Sequence, residues 1–380
     1  DHRLSDAASA AALGRKTGGI RIMKKRYIAV IAVSVVMAYL LFAPTTIEPV
    51  SWTPPVAPSL QDGEFKENAL LANLERVGKD LELTGPEAVI ADAEHRILTG
   101  LDDGRVVRLS VDGKTLETLA NTGGRPLGLA WHPDGRLIIA DGIKGLLALN
   151  VHNGDLQVLT TESDGVPLGF TDDVDVSADG QYAYFSDASM RWHYGEDSQA
   201  VMEHRGDGRL LVYDFHNSET KALLNGLEFA NGVALGPNED YVLVTETGSY
   251  RISRLWLKGD KAGQQDTFRD NLPGLPDNIT FNGKDRFWLA IFTPRNVFLD
   301  VFADKPFMRK VLIRALRFVP KIVEHRAMAL GLDLNGRVVA NLQDSSSGNY
   351  SPITCVREIG NSLYFGSLTE NSLAKLPLTP

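Results

Sequence analysis

Only one cysteine, Cys355, occurs among the 380 residues. An internal disulfide is therefore excluded, as is any zinc or iron–sulfur centre built on cysteine. Histidine is scarce too, with eight residues scattered along the chain rather than spaced as ligands. Basic charge is in deficit: 39 Lys and Arg face 48 Asp and Glu, a net charge of −9. A chain that coats nucleic acid needs a basic footprint to displace counterions, so that class is set aside. No Gly-x-Ser-x-Gly elbow is present, which removes the signal for a Ser–His–Asp hydrolase. Gly124-Arg125-Pro126-Leu127-Gly128 precedes no helical pattern and is a turn, not a phosphate loop. The 35 Gly and 18 Pro follow no Gly-X-Y period, so they mark many turns rather than collagen. Cys355, in Ile353-Thr354-Cys355-Val356, has the setting of a buried strand residue.

Long uncharged runs are also absent, with one exception. Tyr27 to Ala43 is a 17-residue stretch without charge, preceded by Lys24-Lys25-Arg26 and closed by Pro44. Bilayer spans need ~20 apolar residues for a ~30 Å core, so the run is at the short end of sufficient. Positive residues stay on the cytoplasmic side, which orients the N-terminus inward and places the body on the periplasmic or lumenal side. Proline just after the run disfavours cleavage, and residues 23–43 are read as an uncleaved signal anchor. Residues 1–22, before Met23, are read as an extension outside the fold. Residues 44–64 hold five prolines, an extended linker.

From Gly85 on, within a body taken as residues 65–380, one phrase recurs: a small polar or Gly/Pro start, an alternating apolar strand, an Asp/Asn/Gly turn and a second apolar strand. Examples are Pro126–Trp131 with Leu137–Asp141, and Asn231–Leu235 with Val242–Glu246. The starts at 87, 127, 172, 231 and 277 are 40, 45, 59 and 46 residues apart, and a sixth copy begins at Ile353. A period of about 40–50 residues with several short strands marks a β-propeller. The fold class is thus all-β, a six-bladed propeller preceded by one transmembrane helix. Residues near 69–83 are expected to give the last blade its outer strand and close the ring.

Two intervals exceed four strands, 188–208 in the third blade and 294–329 in the fifth. The second alternates apolar residues with Lys305, Arg309, Lys310, Arg314, Arg317 and Lys321, the pattern of a basic amphipathic helix. It packs across the blade rim, covers the central channel, or rests on an anionic membrane surface. His193 is the one histidine placed to reach over the channel mouth.

The first residues of each innermost strand line a propeller's axial channel. At that phase stand Glu87, Leu127, Asp172, Asn231, Asp277 with Asn278, and Glu358. Buried charge is costly unless paired or bound to metal. Hard oxygen donors without thiolate or imidazole suit Ca²⁺, which takes 6–8 oxygens. Three negative charges come from Glu87, Asp172 and Asp277, and neutral oxygens from Asn231 and Asn278. The alternative is a polar ring bonded to channel water.

These stretches, with Gly124–Leu129, Phe229–Leu235, Arg251–Leu257 and Leu272–Ile279, resemble the strictosidine synthase-like proteins. That family lies within the six-bladed calcium propellers that include gluconolactonases and paraoxonases. The anchor and fifth-blade insert are similar to those of membrane-bound adipocyte-type and bacterial members. The resemblance implies Ca²⁺ ligands Glu87, Asp172, Asn231, Asp277 and Asn278, with position 172 more often Asn in the family. The paraoxonase histidine is replaced by Leu127, which removes a His-assisted water attack. Glu358 matches the proton-handling glutamate of plant strictosidine synthases. The implied function is a membrane-anchored, Ca²⁺-dependent lactonase or arylesterase acting on a small molecule, with Asp277, Glu87 and Glu358 as catalytic candidates. The alternatives are amine–aldehyde condensation through Glu358 and a non-catalytic, calcium-stabilised binding propeller.

Overall fold

The computed structural model describes residues 25–318 and 324–378. The expected extension 1–22, residues 23–24 of the anchor, and Lys321 of the fifth-blade insert lie outside these.

Among the described residues, six four-stranded antiparallel sheets follow one another in chain order. Their innermost strands are Ile90–Ala91, Pro126–Trp131, Thr171–Val176, Ala230–Leu235, Gly274–Phe281 and Cys355–Ile359. The second strands are the most apolar, and Leu137–Asp141 and Tyr241–Glu246 are buried at every position. Such strands lie mid-blade with a neighbouring blade on each face, so alternation gives way to continuous burial. Apolar clusters fill the seams: Leu243, Ile279, Phe287 and Leu289 join the fourth and fifth blades. Ala290, Ala329, Val356 and Phe365 join the fifth and sixth. The ring closes as the sequence requires. Glu75–Val77 pairs antiparallel with Leu373–Pro377, Val77 lying opposite Leu373, so the last blade takes its outer strand from the first.

Four innermost strands share one irregularity. Their ladders break between Pro126 and Gly128, Thr171 and Val174, Ala230 and Val233, and Pro276 and Ile279. Residues 127, 172, 231, 277 and 278 fall within these breaks. Bulges of this kind re-aim side chains, and here they turn the channel-facing set off the ladder. Gly232 makes the close approach possible: a Cβ there would stand 2.5 Å from the Ile279 nitrogen and 2.7 Å from the Asp277 carbonyl oxygen. Neither backbone atom can swing away, so Gly232→Ala should cost about 1–3 kcal/mol through overpacking. Thermal unfolding would detect this, and an unchanged midpoint would mean that the fourth and fifth blades do not meet so closely.

Among the described residues four α-helices stand outside the blades: α1 (Lys25–Phe42), α2 (Asp197–Glu203), α3 (Val297–Val301) and α4 (Pro306–Ala315). Helix α2 belongs to the third-blade insert, and α3 and α4 to the fifth. The single basic amphipathic helix expected over 294–329 is therefore two short helices among the described residues. Its arginines also turn inward. Buried Arg309 donates Nη1 to the Val50 carbonyl at 2.7 Å, and buried Arg314 donates Nη1 to the Leu40 carbonyl at 2.7 Å. The basic pattern grips the chain leaving α1 instead of facing outward.

Candidate functional site

Three bulged strand starts and the segment before Ile90–Ala91 gather five of the expected side chains at one end of the channel. Glu87, Asp172, Asn231, Asp277 and Asn278 are each no more than 6% exposed. Bonds between blades fix their backbones. The Asn278 N–H donates to the Thr354 carbonyl at 3.1 Å, and Thr245 Oγ1 donates to the Asp277 carbonyl at 2.9 Å.

The carboxylates feel one another. Burial pushes the Glu87 carboxyl up to about 8, opposed by Arg125 and reinforced by Asp173. Burial raises Asp172 well above the carboxylate range, with further upward pressure from Glu87 and Asp277. Asp277 rises through burial and the Glu87 charge, while a hydrogen bond from the Asn231 side chain pulls it back. Asp173, beside them, is lifted to about 7 by burial. Its oxygens are already taken, accepting from Val174 N–H at 2.9 Å and Val233 N–H at 2.9 Å.

Three oxygens in the ring are unsatisfied. Asn231 Oδ1, Asp277 Oδ1 and Asn278 Oδ1 are buried without a hydrogen-bond partner. Orphaned buried acceptors are rare and call for an explanation such as an ion or water. Among the described residues no three His, Cys, Asp or Glu side chains form a ready-made metal cage. The carboxamides complete the donor set, and this mixture of hard oxygens is the chemistry of Ca²⁺ or a similar cation.

Three features of the site were not singled out from the sequence. Arg125, 1% exposed, sets Nη2 3.3 Å from a Glu87 oxygen and 2.9 Å from the Gly85 carbonyl, while its Nε and Nη1 have no partner. A collar of carboxylates ends the second strands and holds the loops that lead into the ring. Asp141 Oδ1 accepts from Arg125 N–H at 2.9 Å, and Asp187 Oδ1 from Gly169 and Phe170 N–H at 3.0 and 2.8 Å. Glu246 accepts from Glu228 N–H at 3.0 Å. The third feature is an apolar roof in which Leu127, Phe170 and Phe229 meet Ile47 of the linker and Trp192 of the third-blade insert. Leu299 of α3 and Leu312 and Ile313 of α4 pack against it. Glu203 of α2 binds the roof together, accepting from Trp192 Nε1 at 2.7 Å and Glu48 N–H at 2.6 Å.

Glu358 does not join the ring. It lies beside the hairpin that ends its strand, opposite Leu363, and accepts from Trp288 Nε1 at 2.9 Å and Asn282 Nδ2 at 3.1 Å. Thr354, fully buried, occupies the sixth blade's position at the ring, with its hydroxyl 3.4 Å from the Glu87 carbonyl. The expected phase was therefore four residues too far along the strand. Leu127 contributes to the roof. His193 is exposed, its Nδ1 3.0 Å from the Gly169 carbonyl oxygen, and Trp192 is the residue that turns over the mouth. Cys355 is buried, and burial pushes its thiol up to about 12.

Comparison with known proteins shows the family and the fold. The family model described as strictosidine synthase matches residues 172–260, and that of the strictosidine synthase-like N-terminal region matches 63–109. Protein strictosidine synthase-like 6 of Arabidopsis thaliana is 35% identical over 315 residues, covering 81% of this chain and 82% of that protein. The human adipocyte plasma membrane-associated protein is 34% identical over 361 residues, covering 89% and 85%. The chain belongs to the strictosidine synthase-like family. Solved propellers share the architecture of this family member. A gluconolactonase from Xanthomonas campestris superposes with a TM-score of 0.59 at 16% identity, covering 89% of this chain and 99% of its own. Regucalcin from Agrobacterium tumefaciens, described as a calcium-binding protein, gives 0.57 at 14% identity, covering 80% and 93%. In this strictosidine synthase-like chain the two matched regions contain Glu87, Asp172 and Asn231.

Proposed function

We propose that this strictosidine synthase-like protein is a calcium-dependent hydrolase of lactones or related esters, anchored to a membrane by α1 with its propeller on the extracytoplasmic side. The observation that carries the reading is the trio of buried, unpartnered oxygens on Asn231, Asp277 and Asn278 beside the carboxylates of Glu87 and Asp172. Those five residues fit a hard divalent cation and would hold it. Bound Ca²⁺ supplies Lewis-acid polarisation of an ester carbonyl. The chain's own residues supply the rest. Asp277 or Glu87, ionised when the cation is held, is the buried carboxylate placed to take a proton from water. Arg125 offers two unpartnered nitrogens, Nε and Nη1, beside Glu87 for a substrate oxygen that gains negative charge. The roof keeps bulk water from the reacting groups. The gluconolactonase and the calcium-binding regucalcin with the same fold support the choice of reaction and ion.

The test is chelation. Purified full-length protein in detergent should lose lactone hydrolysis when calcium is removed and regain it on re-addition. At ~1,000-fold excess over its dissociation constant, calcium would add about 4 kcal/mol to stability. Turnover that survives thorough chelation would overturn the reading.

The closed roof favours one second reading, a non-catalytic propeller whose calcium only stabilises the ring. It predicts a calcium-dependent melting point with no turnover across a panel of esters and lactones. Condensation through Glu358 gains no support, since that carboxylate is held by Trp288 and Asn282.

A further inference from the structure

Helix α1 and the fifth-blade insert meet at one point. Arg314 of α4 donates to the carbonyl oxygens of Leu40 and Leu41 at 2.7 and 3.4 Å, filling acceptors that the last turn of α1 would leave free. Its positive charge also suits the C-terminal end of that helix. Next to this contact the Tyr39 ring meets Phe318 edge-on at 5.3 Å. Further along the exit chain, Lys310 pairs with Glu48 at 2.8 Å and Arg309 holds the Val50 carbonyl. The insert is fastened to the outgoing end of α1 over two turns.

That fastening fixes where the insert lies. Helix α1 has 18 residues, none buried against the protein. At ~1.5 Å per residue it covers about 27 Å, nearly the whole ~30 Å hydrocarbon core. If α1 crosses a bilayer, Leu40–Phe42 must sit at its surface, and α4 with them. On the outer side of the insert Val297, Phe298, Val301, Phe307 and Phe318 are 51% to 66% exposed. Between α3 and linker residues 54–57 runs an open groove of about 400 Å³. Large apolar side chains in water are unfavourable when contiguous, and aromatic rings favour the headgroup level of a bilayer.

We propose that the face formed by α3, α4 and Phe318 is embedded in the surface of the bilayer that α1 crosses, so that the roof over the channel is part of a membrane-seated platform. This rests on the reading that α1 spans a membrane. The contact is mainly apolar: Arg309 and Arg314 are spent on backbone carbonyls, Lys310 on Glu48 and Lys305 on the Val301 carbonyl and Asp304, while Arg317 lies 3.4 Å from the Tyr39 hydroxyl. Leu299, Leu312 and Ile313 belong to the same two helices and pack under them against the roof.

Fluorescence quenching in the full-length chain tests this, using phosphatidylcholine nanodiscs with nitroxide-bearing lipid. Cys355 is buried with a raised thiol, so a single introduced cysteine takes the label. The labelled variants are Phe298→Cys, Phe307→Cys, Val35→Cys within α1, and Val158→Cys on the exposed outer strand of the second blade. Surface-seated helices lie ~5–10 Å into the headgroup boundary, so labels at 298 and 307 should be quenched at least about twofold. The label at 35 should also be quenched, and that at 158 should not. Because the contact is apolar, about 1 M salt should leave the quenching intact. Quenching at 35 with none at 298 and 307 would overturn the docking alone. No quenching at 35 would overturn the anchor and the docking together. Quenching at 298 and 307 that vanishes in salt would contradict an apolar contact.

Discussion

Asp277→Asn is expected to weaken calcium binding by at least about 100-fold and to abolish lactone turnover with it. Calcium sites set their affinity by the number of charged ligands, and Asp277 provides one of the ring's three carboxylates at these five positions. Loss of a general base adds a further ~10²–10⁴-fold where the same residue handles the proton. The substitution keeps the shape of the side chain, so a second signature separates it from damage to the fold. In the calcium-free ring burial, reinforced by Glu87, disfavours an ionised Asp277. A neutral amide there should therefore leave the calcium-free variant as stable as the parent or more so, while its stabilisation by calcium disappears. Glu358→Gln is the matched control. Its new carbonyl can still accept from Trp288, and calcium affinity and turnover should remain within about twofold of the parent, as surface-like changes usually do. If Glu358→Gln removed activity with calcium binding intact, proton transfer would have to be reassigned to that residue.

Arg209→Met carries the largest expected loss of stability. Asp187 is fully buried, and Arg209 is its charge partner, with Nη2 at 2.6 Å and Nε at 3.1 Å. Burial raises the Asp187 carboxyl, and the Arg209 contact is among the forces that hold it down. Removing one member of a buried pair leaves an uncompensated charge and costs about 3–5 kcal/mol. Chemical denaturation should show a loss of this size, and adding Asp187→Asn to Arg209→Met should recover part of it. Recovery should be incomplete, because Asp187 also holds the Gly169 and Phe170 amides that lead to Asp172. A loss below about 1 kcal/mol would place the pair among those of little consequence.

The propeller was legible because its turns are written in local chemistry. A hairpin such as Ala178-Asp179-Gly180 announces itself, with Asp179 accepting from Gln181 N–H and Gly180 at φ 71°. Counting back from these turns reaches Asp172, Asn231 and Asp277 wherever the strand has ordinary length. In the sixth blade the same count back from Gly360 reaches Thr354, which is neither a carboxylate nor a carboxamide, whereas Glu358 stands next to the turn. Arg125 stands in the Gly124–Leu129 turn, yet its role depends on Glu87, 38 residues earlier, and no local pattern links them. The roof was unreadable for the same reason. Ile47 lies in a proline-rich linker that reads as extended chain, and its burial comes from inserts far along the sequence. The arginines of the fifth-blade insert show how periodicity misleads. Their spacing marks a charged face, but the free carbonyls at the end of α1 and along the linker decide which way that face turns.

Calorimetric titration of Ca²⁺ into the decalcified full-length chain tests the central claim most directly. Glu87 has a folded pKa of about 8 against an ordinary value of 4.5. Held protonated, it stabilises the calcium-free fold fully below the ordinary value, and that contribution is lost as pH rises towards 8. Calcium needs the ionised form, so binding must expel protons and tighten as pH rises. One ion per chain should bind, with higher affinity at about pH 8 than at about pH 6. Its heat should depend on the buffer's ionisation enthalpy, as proton release requires. A chain that takes up no calcium would contradict a calcium site built from Glu87, Asp172, Asn231, Asp277 and Asn278, whereas equal binding at both pH values without proton release would mean that Glu87 is already ionised in the calcium-free ring.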